Sequence, residues 1–111
     1  MRQEEHNIQV GIVQYLRLKG FEVFAIANGG RRDAVTGARL KAEGVKAGVA
    51  DLEILLPLGN VLFVEVKTAK GRQSPEQKAF QERVESLGFN YVIWRSVDDA
   101  AKFINSPLSL P

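Results

Sequence analysis

The segment Val61-Leu62-Phe63-Val64-Glu65-Val66-Lys67 constrains this chain more than any other. From Val61 to Val66 it is apolar on both faces apart from Glu65, so as a strand it needs cover on two sides and belongs at the centre of a sheet. Such a strand would be expected to end on a neutral residue. It ends instead on Glu65 and Lys67, which alternation projects from one face, with the Val66 carbonyl between them in the backbone. A covered strand thus offers a carboxylate, a carbonyl and an ammonium group within three residues.

A second charged residue stands at a suggestive distance. Asp51 opens another apolar run, Leu52 to Leu56, and Pro57-Leu58-Gly59-Asn60 between the two runs reads as a hairpin connection. A plain four-residue loop would pair Leu56 with Val61, and so Asp51 with Val66. That puts Asp51 on the wrong face for Glu65, because opposed residues share a face and a one-residue slip reverses it. A bulge or an adjusted loop is therefore expected, setting Asp51 beside Glu65 with Cα atoms about 5 Å apart.

The remaining chain reads as one domain over residues 1–111, enough for a single core. Ile8, Ile12, Tyr15 and Leu16 recur at helical spacing over residues 4–19, and Glu5 lies towards the edge of that apolar stripe. A strand follows at Phe21 to Ala27, ending at Asn28-Gly29-Gly30, and then a short helix at Thr36 to Glu43. Ser74-Pro75-Glu76-Gln77 is a strong helix start, with Ser74 as cap, Pro75 at the first position and Gln77 set for a capping box; Phe80, Val84 and Leu87 give that helix its buried stripe. Tyr91 to Trp94 reads as a strand, with Tyr91 and Trp94 as core residues, and Ser96 caps a final helix. The expected architecture is α/β, a mixed sheet flanked by helices on both faces.

Composition excludes several chemistries. With no cysteine there is no thiolate zinc site and no thiol nucleophile, and the lone His6 rules out two-histidine ribonuclease chemistry, so any metal must use oxygen ligands. No apolar run approaches the roughly 20 residues of a membrane span, and the N-terminus lacks a signal-peptide core, so a cytoplasmic protein is expected. The net charge of +2 says little about partners, but its distribution says more. Arg31, Arg32, Arg39, Lys41 and Lys46 form one basic cluster, and Lys70 and Arg72 follow Lys67 directly in a second. Both flank the candidate site, where phosphate contacts would be needed.

Hydrolysis of a phosphodiester requires neutralising phosphoryl charge and activating a water. Asp51, Glu65 and the Val66 carbonyl would give Mg²⁺ the hard oxygen ligands it prefers, and Lys67 would orient the water or stabilise charge on phosphorus. Glu5 is placed to add a further carboxylate, directly or through a water. Singly, each residue has a plain structural account: a strand end, a surface ion pair, a helix-dipole acid, and for Gln77 a capping glutamine, with an inward role supporting Lys67 also open to it. Together, at the end of a covered strand, they make nucleic-acid cleavage the leading expectation. The rivals are a non-catalytic DNA-binding module of the same fold, an RNA-directed nuclease, and a small α/β interaction protein.

Several of these segments, in this order, resemble the VRR-NUC branch of the PD-(D/E)xK nuclease superfamily in its compact stand-alone form from phages and bacteria. The resemblance rests on Glu5-His6-Asn7-Ile8-Gln9, Asn28-Gly29-Gly30, the run Leu40 to Asp51, Glu65-Val66-Lys67 and Ser74-Pro75-Glu76-Gln77. It implies a restriction-endonuclease-like core and Mg²⁺- or Mn²⁺-dependent DNA cleavage. Catalytic acids would fall on Glu5, Asp51 and Glu65, the lysine on Lys67 and the family's helix glutamine on Gln77. Stand-alone members suggest a homodimer acting on four-way junctions, in a bacterial or phage-infected cell. Ala50 stands where the superfamily name has a proline, a position that supplies no ligand.

Overall fold

The computed structural model describes residues 3–27 and 34–106. Helix α1 (Gln3–Leu18) is followed by β1 (Glu22–Ala25), α2 (Ala34–Ala42), β2 (Leu52–Leu55), β3 (Val61–Val66), α3 (Pro75–Ser86), β4 (Asn90–Trp94) and α4 (Val97–Ile104). This is the expected order. Asn28-Gly29-Gly30, Arg31 and Arg32 lie outside the described residues.

The four strands form one sheet in the order β1-β2-β3-β4, antiparallel except for the parallel pair β3–β4. As its two apolar faces require, β3 is interior. One face carries Leu52, Ile54, Leu62, Val64, Val66 and Trp94, which pack against Ile12 and Leu16 of α1 and Ala100 of α4. On the other, Phe63, Tyr91 and Ile93 meet Phe80 and Val84 of α3. Phe63 sits at the centre of the second layer, edge-on to Phe80 at 5.8 Å and to Phe89 at 5.7 Å. Leu87, expected in the buried stripe of α3, is instead its C-cap and is 56% exposed, because the helix ends at Ser86, before the stripe reaches it.

The β2–β3 register departs from a plain four-residue hairpin in two ways. Leu55 pairs with Val61, so five residues, Leu56 to Asn60, make the connection. At the far end Leu52 pairs with Val64, yet Asp51 also donates its N–H to the Val64 carbonyl, at 2.9 Å. Asp51, just before β2, and Leu52 thus both meet Val64 of β3, the pattern of a bulge. The Asp51 carbonyl meanwhile accepts from the Ile26 N–H, on the side of β1, so its two backbone groups face different neighbours. Side-chain alternation breaks there: Ala50 packs in the layer of Phe63 and Tyr91, whereas Leu52 and Ile54 pack in the layer of α1. The five-residue loop alone makes the adjustment expected from sequence, a one-residue shift that carries the register towards Asp51 opposite Glu65, and the bulge is a further irregularity at Asp51 itself.

The connection itself stores strain. Leu58 adopts φ +63° and ψ +29° in the 3₁₀ turn Pro57–Gly59, followed by Gly59 at φ +76°. Positive φ at consecutive residues is what primed hairpin turns use, but a leucine there is unfavourable by about 1–2 kcal/mol. Leu58 is 96% exposed, so its side chain returns nothing by burial. Replacing Leu58 with Asn, which tolerates this backbone, should stabilise the fold by about 0.5–1 kcal/mol, and urea unfolding of the two proteins would show it as a higher midpoint at unchanged slope.

Candidate active site

The bulge delivers Asp51 to the end of the β3 ladder. Its Oδ2 accepts the Val66 N–H at 2.7 Å, so a side-chain carboxylate takes the place of a ladder carbonyl. A residue's N–H and C=O point towards the same neighbouring strand, and the Val66 carbonyl accordingly faces Asp51 as well. Glu65 lies next to them, 1% exposed, and Asp51 is 7% exposed. Burial raises the Asp51 carboxyl above its ordinary range; the Val66 N–H works against this, and the charges of Glu5 and Glu65 add to it.

Lys67 is almost as deeply placed, 9% exposed, with Nζ 3.4 Å from Glu65 Oε2 and donating to Gln77 Oε1 at 2.8 Å. That same Gln77 oxygen accepts the Ser74 N–H at 2.8 Å, while the Gln77 N–H donates to Ser74 Oγ at 3.1 Å. The capping box of α3 is therefore complete, and its glutamine also holds the lysine. The capping contact and the inward contact with Lys67 are both made by one atom. Gly48 brings this helix start against the segment leading into Asp51. At φ +85° it approaches so closely that a Cβ there would stand 2.6 Å from the Glu76 carbonyl carbon, a place only glycine can occupy.

Three participants escaped the sequence reading. Tyr91 belongs to the core as expected, but its hydroxyl donates to Glu65 Oε1 at 2.5 Å. Burial pushes the Tyr91 phenol far up, and its hydrogen bond to Glu65 and the charge of that carboxylate add to the shift. Gln73 Nε2 donates to the same Glu65 oxygen at 2.9 Å. Arg95, just past β4, donates from Nη1 to the carbonyls of Thr68 at 2.7 Å, Gly71 at 2.8 Å and, longer, Ala69 at 3.3 Å. It gathers the turn between Lys67 and Gln73 around one guanidinium. The available signal was parity: on the parallel strand, Tyr91 shares a face with Ile93, the register partner of Glu65.

Of the other expected residues, Glu5 is half-buried and close enough for its charge to act on Asp51. It does not join Asp51 and Glu65 in one tight group: among the described residues no three His, Cys, Asp or Glu side chains surround a common point. Arg39 and Lys41 are exposed in the last turn of α2, Lys46 is exposed in the loop beyond it, and Lys70 and Arg72 are exposed on the turn that Arg95 holds.

The VRR-NUC domain family matches residues 5–98, which span every one of these site residues. The chain belongs to the VRR-NUC family. Two solved VRR-NUC structures share its fold. One, described as a VRR_NUC domain, is 24% identical with a TM-score of 0.70, covering 96% of this chain and 99% of that one. The other, a VRR_NUC domain protein, is 21% identical with a TM-score of 0.77, covering 99% of this chain and 92% of that one. No curated protein gives a match. Membership implies a nuclease-type fold, and no helix among the described residues is long and apolar enough to cross a membrane.

The VRR-NUC site suits a hard divalent cation. Glu65 Oε2 is fully buried and accepts no hydrogen bond, while the ionised form of Asp51 is disfavoured by its burial and by two neighbouring acids. A cation between them would answer both deficits. The Asp51 shift also fixes a sign. A carboxyl with a raised folded-state pKa binds its proton more tightly when folded, so its ionisation costs stability once pH exceeds that pKa and costs nothing below the unfolded value. At neutral pH, Asp51→Asn, which keeps an acceptor for the Val66 N–H, should unfold in EDTA a few degrees above the parent, and should lose any further rise on adding Mg²⁺. Differential scanning calorimetry in EDTA and in Mg²⁺ checks both halves.

Proposed function

We propose that this VRR-NUC protein is a metal-dependent, structure-specific DNA endonuclease. The observation that carries the reading is the open Oε2 of Glu65, buried beside Lys67 Nζ and next to the Asp51 carboxylate that Val66 holds. Asp51, Glu65 and the Val66 carbonyl would hold Mg²⁺ or Mn²⁺, with Glu5 contributing from further out through a water. The ion, when bound, supplies positive charge to the phosphoryl oxygens and makes a water more acidic.

The chain's own residues do the rest. Lys67, held by Gln77, presents its ammonium to the attacking water or to charge developing on phosphorus. Arg31, Arg32, Arg39, Lys41, Lys46, Lys70 and Arg72 would contact the DNA backbone, giving affinity without base information. A homodimer would bring two such sites to opposed strands, and a four-way junction is the substrate that stand-alone relatives suggest. A non-catalytic binding module would be expected to have lost an acid or the lysine, and here Asp51, Glu65 and Lys67 all stand together at the strand end.

Cleavage of labelled four-way junction, flap, splayed-arm and linear duplex DNA, with Mg²⁺, Mn²⁺ or EDTA, tests this directly. Metal-dependent cutting of branched DNA is expected, falling at least about 100-fold in Lys67→Ala and in Glu65→Ala, a loss on the scale of removing one group that stabilises the transition state. Junction binding without cutting would instead favour the binding-module reading, and cutting confined to RNA substrates an RNA-directed nuclease. The basic turn has its own measurement: Lys70→Ala with Arg72→Ala should weaken junction binding and reduce the slope of log K against log salt by about 2, near 1 for each phosphate that is no longer neutralised. An unchanged slope would remove that turn from the DNA surface.

A further inference from the structure

The two oxygens of Glu65 live in different surroundings. Oε1 accepts from the Tyr91 hydroxyl at 2.5 Å and from Gln73 Nε2 at 2.9 Å. Oε2 accepts no hydrogen bond and has the Lys67 ammonium at 3.4 Å. A carboxylate oxygen has two lone-pair directions, and both on Oε1 are taken.

The second of those donors is held by a chain that runs out to the surface. Gln73 Nε2 also donates to Gln81 Oε1 at 2.8 Å, and Gln81 Nε2 donates to Glu85 Oε2 at 3.2 Å. Both ends of this chain are carboxylates, which only accept. Turning either amide over would set oxygen against oxygen, so the direction of every bond is fixed from the ends inward. Glu65 itself fixes which end of Gln73 it meets, while the exposed Glu85 on α3 fixes Gln81 and so keeps an acceptor turned to the second hydrogen of Gln73 Nε2.

We infer that Tyr91 and Gln73 are positioning residues that make Glu65 a one-oxygen ligand, so that the site discriminates in favour of Mg²⁺ over Ca²⁺. Ca²⁺ takes six to eight oxygens and commonly chelates a carboxylate through both atoms, whereas Mg²⁺ demands near-octahedral geometry at shorter distance. With Oε1 committed, Ca²⁺ forfeits a ligand and Mg²⁺ forfeits none. The inference rests on the metal-site reading above, and it concerns which ion is held rather than whether DNA is cut.

The test is ion binding without DNA. Thermal midpoints of the EDTA-stripped full chain, followed through Mg²⁺ and Ca²⁺ titrations, give an apparent affinity for each ion. In the double variant Tyr91→Phe with Gln73→Met, the preference for Mg²⁺ over Ca²⁺ should fall by about 3- to 10-fold, the worth of one or two hydrogen bonds, and by less in each single variant. Gln73→Met alone, at a half-buried position in the turn, should move the preference the same way and decides the matter should the Tyr91 variants not fold. A preference unchanged in the folded variants would overturn the clamp while leaving the metal site intact. If the parent binds neither ion, the metal-site reading fails and this inference falls with it.

Discussion

Placing a carboxylate in the interior is among the more expensive things a small domain can do, and Glu65 sits there at 1% exposure. Asp51, itself buried, adds a second negative group within range of the first. The surroundings answer with specific partners: Tyr91 and Gln73 on one oxygen of Glu65, the Lys67 ammonium near the other, and a backbone N–H on Asp51. What they leave is one buried oxygen, Glu65 Oε2, that accepts no hydrogen bond. The sheet around it supplies stability that the site lacks, through two apolar layers built from Leu52, Ile54, Leu62 and Val64 on one side and Phe63, Phe80 and Val84 on the other.

Much of this was legible in the chain, because the strongest signals were local. Alternation identified β3 as a covered strand, the Ser-Pro-x-Gln start located α3 to the residue, and the parity conflict between Asp51 and Glu65 announced an irregular hairpin. Which irregularity resolves the conflict was not legible. A bulge depends on where two backbone groups of Asp51 find partners, Ile26 on one side and Val64 on the other, and those partners come from distant parts of the chain.

The missed residues share that non-local character. Tyr91 is 26 positions from Glu65 and reaches it only because β4 lies parallel to β3 in one register. Arg95 is a similar case, its guanidinium meeting carbonyls 24 to 27 residues away. Gln73 is nearer in sequence, but its role emerges only when the turn that Arg95 gathers folds it back over the strand. Leu87 failed in the opposite direction: periodicity promised burial, and the end of α3 at Ser86 left it in solvent. Aromatic and amide side chains at ordinary core or loop positions carry no mark of the carboxylate they will meet.

One oxygen atom of Gln77 closes the first turn of α3 and grips the Lys67 ammonium. The acceptor that closes the helix start is thus the one the lysine meets, since the geometry that satisfies one partner presents the oxygen to the other. A substitution that alters the helix start at this position therefore also alters what holds the lysine.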